Sequence, residues 1–132
     1  MTTPYTLKQL TDVKDSAVEF GFEGIQEARF AKEDLDAVAT GVSMHRVKAG
    51  KRQAFGHRHS DAEEIYVVLS GSGRAKLDEA IVDLVPLDAL RVAPGVIRAF
   101  EAGHDRDLEL LAFGPHHAGD GELIEGWWAG DA

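Results

Sequence analysis

A chain of 132 residues with 23 acidic and 14 basic side chains carries a formal net charge of −9. With no Lys/Arg block, it lacks the electrostatic footprint for nucleic acid or an anionic membrane surface. It has no cysteine, which excludes disulfides, thiolate metal sites and a cysteine nucleophile. The length predicts one domain over 1–132. The first residues, MTTPYTLKQLTDVKDS, contain no apolar signal segment, and no later run approaches a membrane-spanning length. The expected location is therefore the cytoplasm.

The first thirty or so residues have no clear period, and Ala31–Asp36 reads as a helical turn. Short apolar or alternating runs follow: 37–47, 53–59, 63–69, 74–78, 80–85, 90–92, 97–101 and 108–113. Turn signals separate them, including Ser70-Gly71-Ser72-Gly73, Pro86-Leu87-Asp88 and Pro94-Gly95. This pattern predicts an all-β fold, an antiparallel sandwich or barrel over about 37–113, with an N-terminal extension and a C-terminal tail. There is no room between the strands for the helices of a doubly wound fold. The Gly-rich tail carries Trp127 and Trp128, which are expected to pack on the barrel rather than stay in water.

The chemistry concentrates in HRHSDAEEIYVVLSG, residues 57–71. In an extended strand His57 and His59 project to the same face. Ser60-Asp61-Ala62 reverses the chain, and an antiparallel return places a glutamate, Glu63 or Glu64, opposite the histidine pair. Two imidazoles and a carboxylate on adjacent strands suit Fe(II), Mn, Ni, Cu or Zn. The other histidines are weaker candidates. His45 is a lone strand histidine, His104 lies in a polar turn, and the adjacent pair His116-His117 would face opposite ways on a strand. Arg46, Tyr66, Phe100 and Phe113 are candidates for a pocket wall, with ordinary packing the plainer reading of the aromatics. Arg91 and Arg106 read as surface charges. No phosphate loop, nucleophile elbow or His-Glu-x-x-His helix competes.

The same stretch resembles the first motif of the cupins, His-x-His, four residues, Glu, six residues, Gly: His57, His59, Glu64 and Gly71 fall on it. The resemblance extends over about 42–113 and selects Glu64 over Glu63. It implies a double-stranded β-helix, or jelly-roll barrel, that is usually a homodimer, with a small-molecule pocket in the barrel mouth. The second motif is matched by LDALRVAPGVIRAFEA, where Asp88 and Gly95 agree. It departs at Leu87, Ala93 and Ala102, and Arg98 stands where the family places a further metal-binding histidine.

An arginine stays protonated and cannot ligate a cation. Two readings follow. In the first, His57, His59 and Glu64 bind one divalent metal (Fe, Mn, Ni or Zn). Arg98 then clamps an anionic small-molecule substrate, with Tyr66 and Phe100 also against it, in oxygenase or isomerase chemistry. In the second, Arg98 pairs with Glu64 in a metal-free ligand-binding or sensor module. A metal-free acid/base site built on the histidines and a pocket filled by side chains also stand as alternatives. The resemblance leaves open whether the protein is an enzyme.

Overall fold

The structure is a computed structural model that describes residues 4–115, 117 and 119–130. A short 3-10 turn (Leu10–Asp12) and helix α1 (Ser16–Glu19) precede the sheets. Ten strands follow among the described residues: β1 (Gln26–Phe30), β2 (Gly41–Val47), β3 (Gly56–His59), β4 (Glu64–Ser70), β5 (Gly73–Leu77), β6 (Ala80–Leu84), β7 (Ala89–Val92), β8 (Arg98–Ala102), β9 (Leu108–Gly114) and β10 (Gly121–Ile124). They form two five-stranded sheets, ordered β1-β2-β9-β4-β7 and β10-β3-β8-β5-β6. All strand pairs are antiparallel. This is the expected all-β jelly roll.

The sheets meet over one apolar core. Tyr66 and Val68 on β4 and Leu108 and Leu110 on β9 pack with Phe100 on β8 and Leu84 on β6. Each large side chain buried there contributes about 1.5–3 kcal/mol. Alternation along β4 sets the register: Tyr66 and Val68 are buried while Ile65 and Leu69 are exposed.

Two strands lie outside the expected 37–113 span. Strand β1, QEARF, pairs with β2, and β10, GELI, pairs with β3. The expected run 53–59 also starts late, at Gly56, where side-chain amides take a backbone donor of this run and one of β8 that faces it. Gln26 Oε1 accepts from the Ala54 N–H at 3.0 Å, and Gln53 Oε1 accepts from the Phe100 N–H at 3.1 Å. The Ala31–Asp36 turn is present, closed by the Leu35 N–H donating to the Ala31 carbonyl at 2.9 Å.

Turn glycines do specific work. Gly71 has φ +77°, and a Cβ there would overlap the Asp107 carbonyl oxygen. A Cβ on Gly56 would come within 2.6 Å of the Trp127 ring, so the glycine lets the tail lie flat on β3. Both tryptophans pack on the chain's own surface. The Arg52 guanidinium lies 4.8 Å over Trp128, and Lys76 Nζ lies 4.5 Å over Trp127.

Candidate metal centre and ligand cavity

Strand β3 brings His57 and His59 to one face, and β4 returns Glu64 beside them. One ligand atom from each of the three lies within 4.8 Å of the others, the one such cluster among the described residues. Glu64 Oε1 is 3.7 Å from His57 Nε2 and 3.5 Å from His59 Nε2. Donors held about 2.1 Å from a tetrahedral ion stand about 3.4 Å apart, so these edges suit a small divalent cation with little movement. The donor set itself, two imidazoles and a carboxylate, suits first-row metals. Glu63 points away and meets Arg91 Nη1 at 3.5 Å on the surface.

His59 is held from behind. Its Nδ1 faces Asp120 Oδ2 at 3.5 Å, an arrangement that favours the proton on Nδ1 and leaves the Nε2 lone pair toward the cluster. Asp120 is itself buried and fixed. It accepts from Ser60 Oγ at 2.6 Å, the Asp61 N–H at 2.7 Å and the Ala62 N–H at 3.1 Å. These bonds, the Ser60 hydroxyl foremost, bring its carboxyl down to about 2. The residue sits just before β10, in the tail that sequence reasoning treated as packing. Its only sequence signal is an acidic side chain among glycines.

Glu64 is the hub of the polar cluster. Arg98 Nη2 donates to its Oε1 at 2.6 Å and the Tyr66 hydroxyl donates to the same oxygen at 2.7 Å. Burial alone would push the Glu64 carboxyl up. The adjacent His57 and His59 rings, with the hydrogen bonds from Tyr66 and Arg98, outweigh it and hold the group well below the usual carboxylate range. Burial lowers the His57 pKa despite the opposing pull of Glu64, which favours the neutral ring a metal requires. Burial, with the Glu64 charge adding to it, raises the Tyr66 phenol and keeps it protonated.

A cavity of about 810 Å³ opens over the cluster. Of the three expected ligand contacts, only Tyr66 lines it. Arg98 has no exposed surface, because its three donor nitrogens are turned to Glu64, to the Tyr66 hydroxyl (3.2 Å) and to the Val96 carbonyl (2.9 Å). Phe100 is core, its ring 4.7 Å from that of Tyr66. Of the other pocket candidates, Phe113 and Arg46 belong to the outer side of the first sheet. There Arg46 meets Glu27 at 2.6 Å and Glu109 at 3.6 Å. His104 is exposed, and His116 lies outside the described residues.

His45, on β2, does line the cavity. Its Nε2 shares a 2.8 Å hydrogen bond with Ser43 Oγ, while Nδ1 has no partner among the described residues. Burial pushes its pKa down to about 4, so the ring is neutral at ordinary pH. Gln26 and Gln53 also line the wall, and neither carried a motif that sequence reasoning could use.

No helix among the described residues is long and apolar enough to cross a membrane. No curated protein matches the chain. Among solved structures it is similar to a cupin protein from Bacteroides fragilis, with 24% identity, 89% of each chain covered and a TM-score of 0.70. It is also similar to a polyketide cyclase from Streptomyces resistomycificus (19% identity, 90% of this chain and 84% of that one, TM-score 0.73). A third is a sugar phosphate isomerase of the cupin superfamily from Silicibacter pomeroyi (15%, 92% and 93%, TM-score 0.70). At these identities the likeness is one of fold. The family model described as "Cupin domain" matches residues 43–114 and contains His57, His59, Glu64 and Arg98. With more than half its length matched by that model and the two-sheet architecture around it, this chain belongs to the cupin family.

Proposed function

We propose that this protein is a small-molecule-binding cupin in which His57, His59 and Glu64 hold one divalent first-row metal ion at the foot of the cavity. The observation that carries this reading is the spacing of the two histidine Nε2 atoms from Glu64 Oε1, 3.5 and 3.7 Å. Such an ion would supply Lewis-acid chemistry, or redox chemistry if it is iron or manganese. The chain's own residues prepare the place. Asp120 orients His59, Arg98 and Tyr66 fix Glu64 in its charged form, and burial keeps His57 neutral. With no fourth protein ligand in the cluster among the described residues, positions remain for ligand oxygens. Metal-assisted isomerisation or oxygenation of a small organic molecule is the reaction class this arrangement serves.

A second reading has its own observation. Glu64 Oε1 already accepts from Arg98 and Tyr66, and an ion would have to share that oxygen. On this reading the protein is a metal-free binding module. Elemental analysis of untagged protein, purified without chelators, separates the two. A stoichiometric first-row metal that is lost in His57→Ala supports the first. Protein that stays empty when Fe(II), Mn(II), Ni(II) and Zn(II) are offered supports the second. Arg98→His is the companion variant, and the metal reading expects it to raise metal affinity.

A further inference from the structure

The cavity's polar groups say more about the ligand than the cluster does. Gln26 and Gln53 are both pinned by their oxygens, since each Oε1 accepts from a backbone N–H. That contact assigns the amide orientation chemically, because an N–H can only be met by the carbonyl end. Each side chain is left with its NH2 group, a pure donor, and neither has a protein acceptor among the described residues. Both residues line the cavity. The wall therefore presents two oriented donors that ask for acceptor oxygens.

Apart from the histidines, Tyr66 and two serines, the rest of the wall combines apolar side chains with charged ones that are acidic on balance. Phe30 and Leu123 line the cavity and are 57% and 67% exposed, so each has apolar surface left for an apolar body to cover. Phe55 is braced edge-on by Phe22 at 5.3 Å. The charged lining is two lysines, Lys14 and Lys32, against the carboxylates of Glu33, Asp34, Glu64 and Glu122. Lys14 is already paired with Glu19 at 2.9 Å. Arg98, the cation expected to clamp an anion, is sealed behind Glu64. A free carboxylate or phosphate would enter a net-negative cleft, two lysines against four carboxylates, with Lys32 its one lysine outside an ion pair among the described residues and no arginine in the lining. A bound ion would offset this only at the foot.

We infer that the ligand is an uncharged, largely apolar carbonyl compound whose acceptor oxygens are read by the amide NH2 groups of Gln26 and Gln53. The cavity is of the size that accommodates drug-sized organic molecules. The inference rests on the small-molecule reading of this cavity and is independent of whether the metal binds.

The test uses the protein as purified, with its metal content measured on the same samples. Calorimetric titrations compare 2-acetylnaphthalene with 2-ethylnaphthalene, which lacks the oxygen, 2-naphthoate, which is anionic, and glucose 6-phosphate. The ketone is expected to bind at least about tenfold more tightly than each of the others, the scale on which buried donors reject a ligand that leaves them unpaired. Gln53→Glu keeps the acceptor for the Phe100 N–H but replaces the NH2 donor, and should weaken the ketone by about tenfold with metal content unchanged. Gln26→Glu tests the second donor should Gln53→Glu fail to fold. Equal or tighter binding of naphthoate or glucose 6-phosphate, no binding of any probe, or full ketone affinity in the folded variants would overturn the inference. Ketone binding by a protein without metal would sustain it while removing the metal reading.

Discussion

Arg98 holds Glu64 from the core side, with Nη2 2.6 Å from Oε1 and no part of the arginine exposed to solvent. An arginine cannot ligate a cation, and here its charge keeps the neighbouring carboxylate ionised. Removing it leaves a partly buried anion short of its nearest donor and its cationic partner. Arg98→Met is therefore expected to lower stability by about 3 kcal/mol in urea unfolding. Glu64→Gln added to Arg98→Met should cost less than the sum of the two single changes, since the pair is lost only once. Additive losses would show that the contact is not energetically coupled.

Asp120 acts through His59. Asp120→Asn is isosteric but loses the charge that favours the proton on Nδ1. Metal affinity, measured by competition with a chromophoric chelator, is expected to fall by about 10-fold or more. Nitrogen-15 NMR of the histidines should show the His59 tautomer shifting in the same variant. A variant that loses affinity with the tautomer unchanged would reduce Asp120 to a support of the 60–62 turn.

Two glycines with positive φ separate backbone strain from collision. Gly95 has φ +86° and nothing near its would-be Cβ, whereas Gly71 adds a clash with the Asp107 carbonyl. Gly95→Ala should cost about 1–2 kcal/mol, the strain of a left-handed non-glycine residue. Gly71→Ala should cost at least about 3 kcal/mol, or fail to fold. Denaturant midpoints of the two variants decide the ordering.

His45 makes stability depend on acid. Its folded pKa, about 4, lies below the ordinary value of 6.5, so the unfolded chain binds more protons between those two values. The part of stability that comes from its staying neutral is intact above pH 6.5 and declines as the pH falls toward 4. The full decline from this group amounts to up to about 3 kcal/mol. His45→Gln should flatten the pH profile of urea unfolding within that window. An unchanged profile would assign the acid sensitivity elsewhere.

Much of this architecture is legible in the residues. The His-x-His spacing alone puts both rings on one face, whereas the residues leave Glu63 and Glu64 open and only the family motif selects Glu64. Strands β1 and β10 were hidden because QEARF and GELI have little β-branched character. They are strands because β2 and β3 offer them open edges, a tertiary cause that no local window contains. Arg98 was visible as a departure from the family, but whether its fork met a ligand or Glu64 depended on side-chain direction. Gln26, Gln53 and Asp120 carry no motif, since each matters through long-range hydrogen bonds, one each for the glutamines and three for Asp120.

The dependence of His59 on Asp120 also sets an order of assembly. The contacts that fix the 60–62 turn join residues up to 60 positions apart, and β10 can pair with β3 only after most of the chain has been made. Contacts of such separation form slowly, because the intervening chain must first be closed into a loop. Both histidines and Glu64 leave the ribosome well before the carboxylate that orients one of them. The cluster would reach its final geometry last, so an ion captured earlier would meet a looser and less selective set of donors.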